Sequence, residues 1–217
     1  MFAYPPATAF HRTVPKTRIY AHAPASKRLK ASFAAQVSEI VWAHKLSPET
    51  LRLPARDGIE EIQVFSLALK SPDLDPAILP LIDRAIPFPL LFELVFEGKI
   101  RFAAAWKRPS SSDPKKWVIE ATFQTDPRPL TASRAPLPVA VDLARLHEQL
   151  LRAHVPLAPR PGETLAEVIA RHTTAETLRV QLPRLETRLA REKQFNRKVE
   201  LNAALRRQRL ELKQLLA

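Results

Sequence analysis

The sequence predicts an α+β fold: a small, mostly antiparallel sheet with packed helices, followed by a long C-terminal helical, coiled-coil-like tail. Three observations carry this. Short apolar runs rich in β-branched and aromatic residues recur between residues 61 and 123, with turn residues between them. Residues 125–141 then collect Pro127, Pro129, Pro136 and Pro138 and read as a linker. Beyond it, Leu178, Leu182, Leu185 and Leu189 recur at intervals of four, three and four, the seam spacing of paired helices.

Residues 1–25 carry Pro5, Pro6, Pro15 and Pro24 and read as an extended N-terminal arm. An α+β domain is expected over 26–124. Ser26 is a candidate N-cap for a helix to about His44, with Leu29, Phe33, Val37, Ile40 and Val41 on one face. Ser47-Pro48 ends it, and Thr50 to Leu53 reads as a short strand. Glu61 to Leu69 reads as a strand. Asp75 as N-cap and Pro76 at the first helical position open a helix with Ile78, Leu79, Ile82 and Ile86 as its apolar face. Leu90–Phe96 and Ile100–Trp106, joined by Glu97-Gly98-Lys99, give a hairpin signal. Pro109 to Pro114 reads as a loop and Trp117 to Phe123 as the last strand. In the helical region 142–217, Asp142 caps a segment through Ala153, and Thr164 with Glu167 and Thr173 with Glu176 match the capping box. Pro183 to Leu216 would span roughly 50 Å as one unbroken helix. A phase slip at Glu192 and Asn196 interrupts its stripe before Phe195, Val199, Leu205, Leu212 and Leu216 resume it, so a coiled coil and a helical hairpin both fit.

The 217 residues hold no cysteine, which excludes disulfides, thiolate metal sites and thiol catalysis and suits a reducing interior. No apolar run reaches the ~18 residues of a membrane span. The N-terminus lacks the build of a signal peptide, so a cytoplasmic location is expected. Three isolated glycines leave no phosphate-cradling loop and argue against ATP hydrolysis. The net charge of +12 is unevenly spread. Residues 1–45 hold seven basic and one acidic residue, and residues 171–217 hold twelve and five, while the middle is near neutral. Basic ends attract polyanions, although cations also simply solvate a helix surface. The phosphate-contact candidates are Lys27, Arg28, Lys30, Arg191, Arg197, Lys198, Arg206 and Arg207. Leu185, Leu189, Phe195 and Val199 are candidates for contact with a protein partner or for self-association through the tail.

The stretch Glu192-Lys193-Gln194-Phe195-Asn196-Arg197-Lys198-Val199-Glu200-Leu201-Asn202 resembles a signature of an uncharacterised bacterial domain-of-unknown-function family. Leu46-Ser47-Pro48-Glu49-Thr50, Ile86-Pro87-Phe88 and Phe96-Glu97-Gly98-Lys99 extend the resemblance over nearly the whole chain. The resemblance implies a gene neighbour of DNA methyltransferases and helicases in restriction-like or phage-defence clusters. It implies no assigned activity and no catalytic residues.

Catalytic patterns are weak. Asp73 followed by Glu97-x-Lys99 has the acid and acid-x-lysine content of a Mg²⁺-dependent nuclease, but the triplet falls at a hairpin tip. His147-Glu148 begins like a zinc-protease helix, yet Leu151 stands where the second histidine belongs, and His154 is seven residues away. Ser66, Ser71 and Ser110 to Ser112 lack a nucleophile elbow. No metal or cofactor is called. The leading expectation is a non-catalytic accessory subunit of a restriction or phage-defence system, binding DNA, a helicase or a methyltransferase through basic helices. The nuclease and a purely structural helix-pairing adaptor are the alternatives.

Overall fold

The computed structural model describes residues 1–109 and 117–217, the side chains of Arg108, Pro109 and Trp117 aside. The loop read from Pro109 to Pro114 therefore lies largely outside the described residues, as do Ser110 to Ser112. The chain divides into two compact units, Met1–His154 and Val155–Ala217.

The first unit is built on a mixed sheet. In chain order its elements are β1 (Phe2–Ala3), a 3-10 turn (Pro6–Thr8), β2 (Ala9–Thr13), α1 (Lys16–His22), α2 (Lys27–Gln36), β3 (Val37–Leu46), α3 (Pro48–Leu51), β4 (Ile62–Leu69), α4 (Ile78–Ala85), β5 (Leu90–Phe96), β6 (Lys99–Pro109), β7 (Trp117–Gln124), β8 (Arg128–Pro129), β9 (Ala135–Pro136) and α5 (Leu143–Arg152). Among the described residues the main sheet has seven strands, in the order β2-β3-β4-β5-β6-β7 with β8 beside β6. Only the β4–β5 pair within it is parallel, and α4 forms the crossover between them. Phe33 of α2, Ile78, Leu81 and Ile82 of α4, and Phe65, Leu67, Phe92 and Leu94 of the sheet form one buried cluster. Each such side chain contributes roughly 1.5–3 kcal/mol on leaving water.

Several elements differ from the expectation. The expected arm is structured: β2 pairs with β3, β1 pairs with β9, and α1 follows Pro15. Ser26 does cap a helix, its Oγ accepting from the Leu29 N–H at 3.2 Å, but α2 ends at Gln36 and the chain turns directly into β3. Register shifts on both sides of β3 place its buried residues at Val37, Ile40, Ala43 and Leu46, every third position. A bulged strand thus reproduces the spacing of a helical face. Ser47-Pro48 opens a helix instead of closing one: Ser47 and Thr50 form a capping box, and α3 occupies the expected strand. Asp75 stays outside α4, whose N-cap is Ala77, though its carboxylate accepts from the Ala77 N–H at 3.0 Å. The proline-rich stretch carries β8 and β9, pinned by the Leu130 N–H to Gly98 O at 2.7 Å. Asp142 caps α5 as expected, accepting from the Arg145 N–H at 2.8 Å.

The second unit consists of α6 (Leu165–Arg191) and α7 (Phe195–Leu216). Thr164 and Glu167 form the expected capping box. Thr173 does not start a helix; it lies inside α6, its hydroxyl donating to Ile169 O. Pro183 also lies inside α6, because Leu178 and Leu182 upstream continue the buried stripe through it. The long tail helix breaks at Glu192, and α7 runs back along α6. Arg209 meets Glu186 at 2.7 Å, and Gln208 reaches Gln181 at 3.4 Å. The slip in the leucine pattern is the turn of an antiparallel hairpin. Near its open end, buried Arg171 pairs with Glu163 through Nε at 2.7 Å and Nη2 at 2.8 Å, and donates to Leu215 O at 2.7 Å and Ala158 O at 2.6 Å. Among the described residues no helix is long and apolar enough to cross a membrane.

Candidate nucleic-acid interface

The hairpin turn has a local cause. The Glu192 carboxylate accepts the N–H groups of Gln194 at 2.9 Å and Lys193 at 2.8 Å, hydrogen bonds that lower its pKa and stop α6. The chain re-enters a helix at Phe195, whose side chain is 78% exposed. Cations gather around it: Arg188 and Arg191 in the last turn of α6, Lys193 in the connection, Arg197 and Lys198 in the first turn of α7. Arginines at the end of α6 suit its dipole. Arg197 and Lys198 oppose that of α7, which has no acidic residue in its first turn. Anions at this tip meet free helix N–H groups and cations together.

Further along α7, Arg206 and Arg207 are exposed. At 3.6 residues per turn, Phe195, Val199, Arg206 and Leu210 fall within an arc of about 60°. Val199 and Leu210 are 52% and 57% exposed on that outer stripe. Leu205 is the buried residue of α7. The four expected partner contacts separate: Leu185 and Leu189 are half-buried along α6, while Phe195 and Val199 face solvent.

In the sheet unit, α2 also starts with cations and no acid. Lys27, Arg28 and Lys30 are all exposed, and Lys30 Nζ stands 5.1 Å from the centroid of the Tyr20 ring. Two neighbours were missed in the sequence. Lys16 of α1 donates to Val37 O at 2.5 Å, and its pKa is lowered by burial and then by the nearby charge of Lys70. Lys70 donates to Ala34 O at 3.0 Å. Reading the first 25 residues as irregular hid Lys16, because α1 has Pro15 at its N-cap and no acidic residue in its first turn to mark its start. None of the eight phosphate-contact candidates forms an ion pair among the described residues.

Two further cations of the sheet unit, buried Lys107 and half-buried Arg134, are held by carboxylates. Lys107 Nζ lies 2.5 Å from Asp83 Oδ1 and donates to the carbonyls of Asp83 and Phe88. Burial pushes the Asp83 carboxyl up against the pull of Lys107. Arg134 grips Glu93 bidentately at 2.6 and 3.1 Å and reaches Phe2 O. His147 and His154 are buried and pushed down to about 4, chiefly by desolvation. The ring of His154 stacks on Phe102, and its Nδ1 contacts Leu150 O at 2.7 Å.

The nuclease residues are brought only partly together. Glu97 and Lys99 line one cleft, and Pro72, the neighbour of exposed Asp73, lines it too. Among the described residues no three His, Cys, Asp or Glu side chains are grouped to hold a metal ion, and Asp73 with Glu97 makes two.

The sequence matches, over residues 2–212, a family described as a domain of unknown function, DUF4391. No curated protein and no solved structure matches the chain.

Proposed function

The chain belongs to the DUF4391 family, and from that premise we propose that it is a non-catalytic nucleic-acid-binding subunit. In this reading it serves a DNA-processing assembly of the restriction or phage-defence kind, beside a helicase or methyltransferase. One observation carries the proposal: Lys27, Arg28, Lys30, Arg191, Arg197, Lys198, Arg206 and Arg207 are all exposed and carry no ion pair among the described residues. Exposed cations outside salt bridges can neutralise phosphates, and the cations condensed on the nucleic acid are then released. Phe195 adds a ring on which an unstacked base can lie.

The test is binding of a labelled oligonucleotide, single-stranded and duplex, against salt. Contact with about five phosphates gives a log–log slope near −4 to −5. Replacing Arg191, Arg197 and Lys198 by alanine reduces that slope by about 2 to 3 for three lost contacts. No binding at low salt would overturn the proposal. It would also favour a second reading, a helix-pairing adaptor, which rests on the outer stripe of Phe195, Val199 and Leu210 on α7.

A further inference from the structure

The turn between β5 and β6 closes over a cleft of about 190 Å³. It lies where β4 ends at Leu69 and β5 ends at Phe96, the carboxyl ends of the parallel pair. Ligands of sheets with parallel strands bind outside such ends, where the backbone carbonyl ladder stops and loops supply side chains. Leu69, Leu94 and Ile100 make the floor apolar. Phe96, Pro72 and Pro127 add ring faces, and Pro127 is held there by the pairing of β8 with β6.

The mouth is charged. Glu97, Lys99 and Arg101 line it, and none of the three has an ion pair or side-chain hydrogen bond among the described residues. Glu97 has φ +43° and Gly98 φ +72°, so both turn residues are left-handed. Asn, Asp or Gly ordinarily occupies the first of these positions. A glutamate there holds a carboxylate at the mouth in a backbone conformation that local propensity disfavours.

We infer that this cleft takes a single nucleotide unstacked from a strand, with its base between the ring faces and its phosphate on Lys99 and Arg101. This deepens the nucleic-acid reading and rests on it. The volume is below the ~300–1,000 Å³ of sites that hold drug-sized ligands, so it admits one ring system and excludes a stacked duplex. Two cations against one carboxylate leave the mouth net positive, as a phosphate requires. An ionised carboxylate only accepts hydrogen bonds, so Glu97 selects a base edge with an exocyclic amine: guanine, cytosine or adenine over thymine.

Calorimetric titration of the full chain with dCMP, dTMP, deoxycytidine and inorganic phosphate tests this. dCMP saturates the protein and binds at least about fivefold tighter than dTMP, the low end of one good base-edge contact. Lys99→Ala and Arg101→Ala each weaken dCMP by about tenfold, the scale of one charge-assisted hydrogen bond. Glu97→Asn suits the turn, keeps the fold and equalises dCMP with dTMP. Absence of saturable dCMP binding overturns the inference. Inorganic phosphate binding as tightly as dCMP also overturns it, leaving an anion contact without a base site. A labelled oligonucleotide run in parallel separates the two readings. If it binds while dCMP does not, only the cleft falls. If dCMP binds while it does not, the strand interface falls and, with it, the inference of a nucleotide drawn from a strand.

Discussion

The sheet unit buries Lys107 against Asp83 and two backbone carbonyls, and sets half-buried Arg134 against Glu93 and the Phe2 carbonyl. The hairpin unit does this once, with Arg171, and leaves Arg191, Arg197, Lys198, Arg206 and Arg207 in water. Charge of one sign therefore has two roles. An interior cation is fixed by partners that would be orphaned without it, so it defines the fold. A surface cation with no partner contributes little to stability and remains available to an anion. Net charge alone therefore says little about binding; the pairing state of each cation carries the information.

The largest expected effect separates these roles. Lys107→Ala destabilises its unit by about 3–5 kcal/mol in urea unfolding, because the buried Asp83 carboxylate loses its counter-charge, and Arg171→Ala destabilises the hairpin unit through its lost contacts to Glu163, Leu215 and Ala158. Arg191→Ala, Arg197→Ala and Lys198→Ala each change stability by less than about 0.5 kcal/mol. Equal losses from both sets would break the comparison. Next, Phe195→Ala lowers affinity for single-stranded oligonucleotide by about 1–3 kcal/mol with unchanged unfolding, the signature of a stacking residue outside the core.

Acid gives a graded effect with a unit-specific window. His147, beside Lys107, and His154, beside the Met1 amino group and Arg128, titrate near 6.5 when unfolded and at about 4 in the fold. Between those values the unfolded chain takes up protons the fold refuses, so stability present above pH 6.5 is lost as pH falls toward 4. His172 in the hairpin shifts in the same direction. The Glu163 carboxyl, held low first by its hydrogen bond to Arg171, loses its contribution only at lower pH, from about 4.5 downward. Unfolding followed from pH 7 to 3 checks this, and His147→Asn flattens the upper part of the profile. Ser26→Ala costs about 1 kcal/mol from the lost cap of α2.

Much of this architecture was legible in the residues. The strands β4 to β7 follow apolar runs, Asp142 and Thr164 cap where their side chains predict, and the hairpin was visible as a slip between Leu189 and Phe195. What was hidden has physical causes. β3 imitates a helix because its bulges space Val37, Ile40, Ala43 and Leu46 three apart. The strands β1, β8 and β9 are two residues each, too short for any periodicity to register. Of the candidate surface, the cations were legible as charges. Their lack of direct ion pairs was not, since Glu186 and Glu163 find their arginines across 23 and 8 residues of chain. The cleft was half visible: Glu97 and Lys99 stood out, but Arg101 and Pro127 join them only through the strand pairings.

The parallel pairing of Phe2 with Ala135 joins residues more than a hundred positions apart, whereas the pairs of β3 with β4 and β5 with β6 join near neighbours in sequence. Joining so distant a pair carries a large closure entropy that earlier-formed neighbours reduce by bringing the ends near. Arg134, linking Glu93 to the Phe2 carbonyl, ties the N-terminal segment to the middle of the sheet.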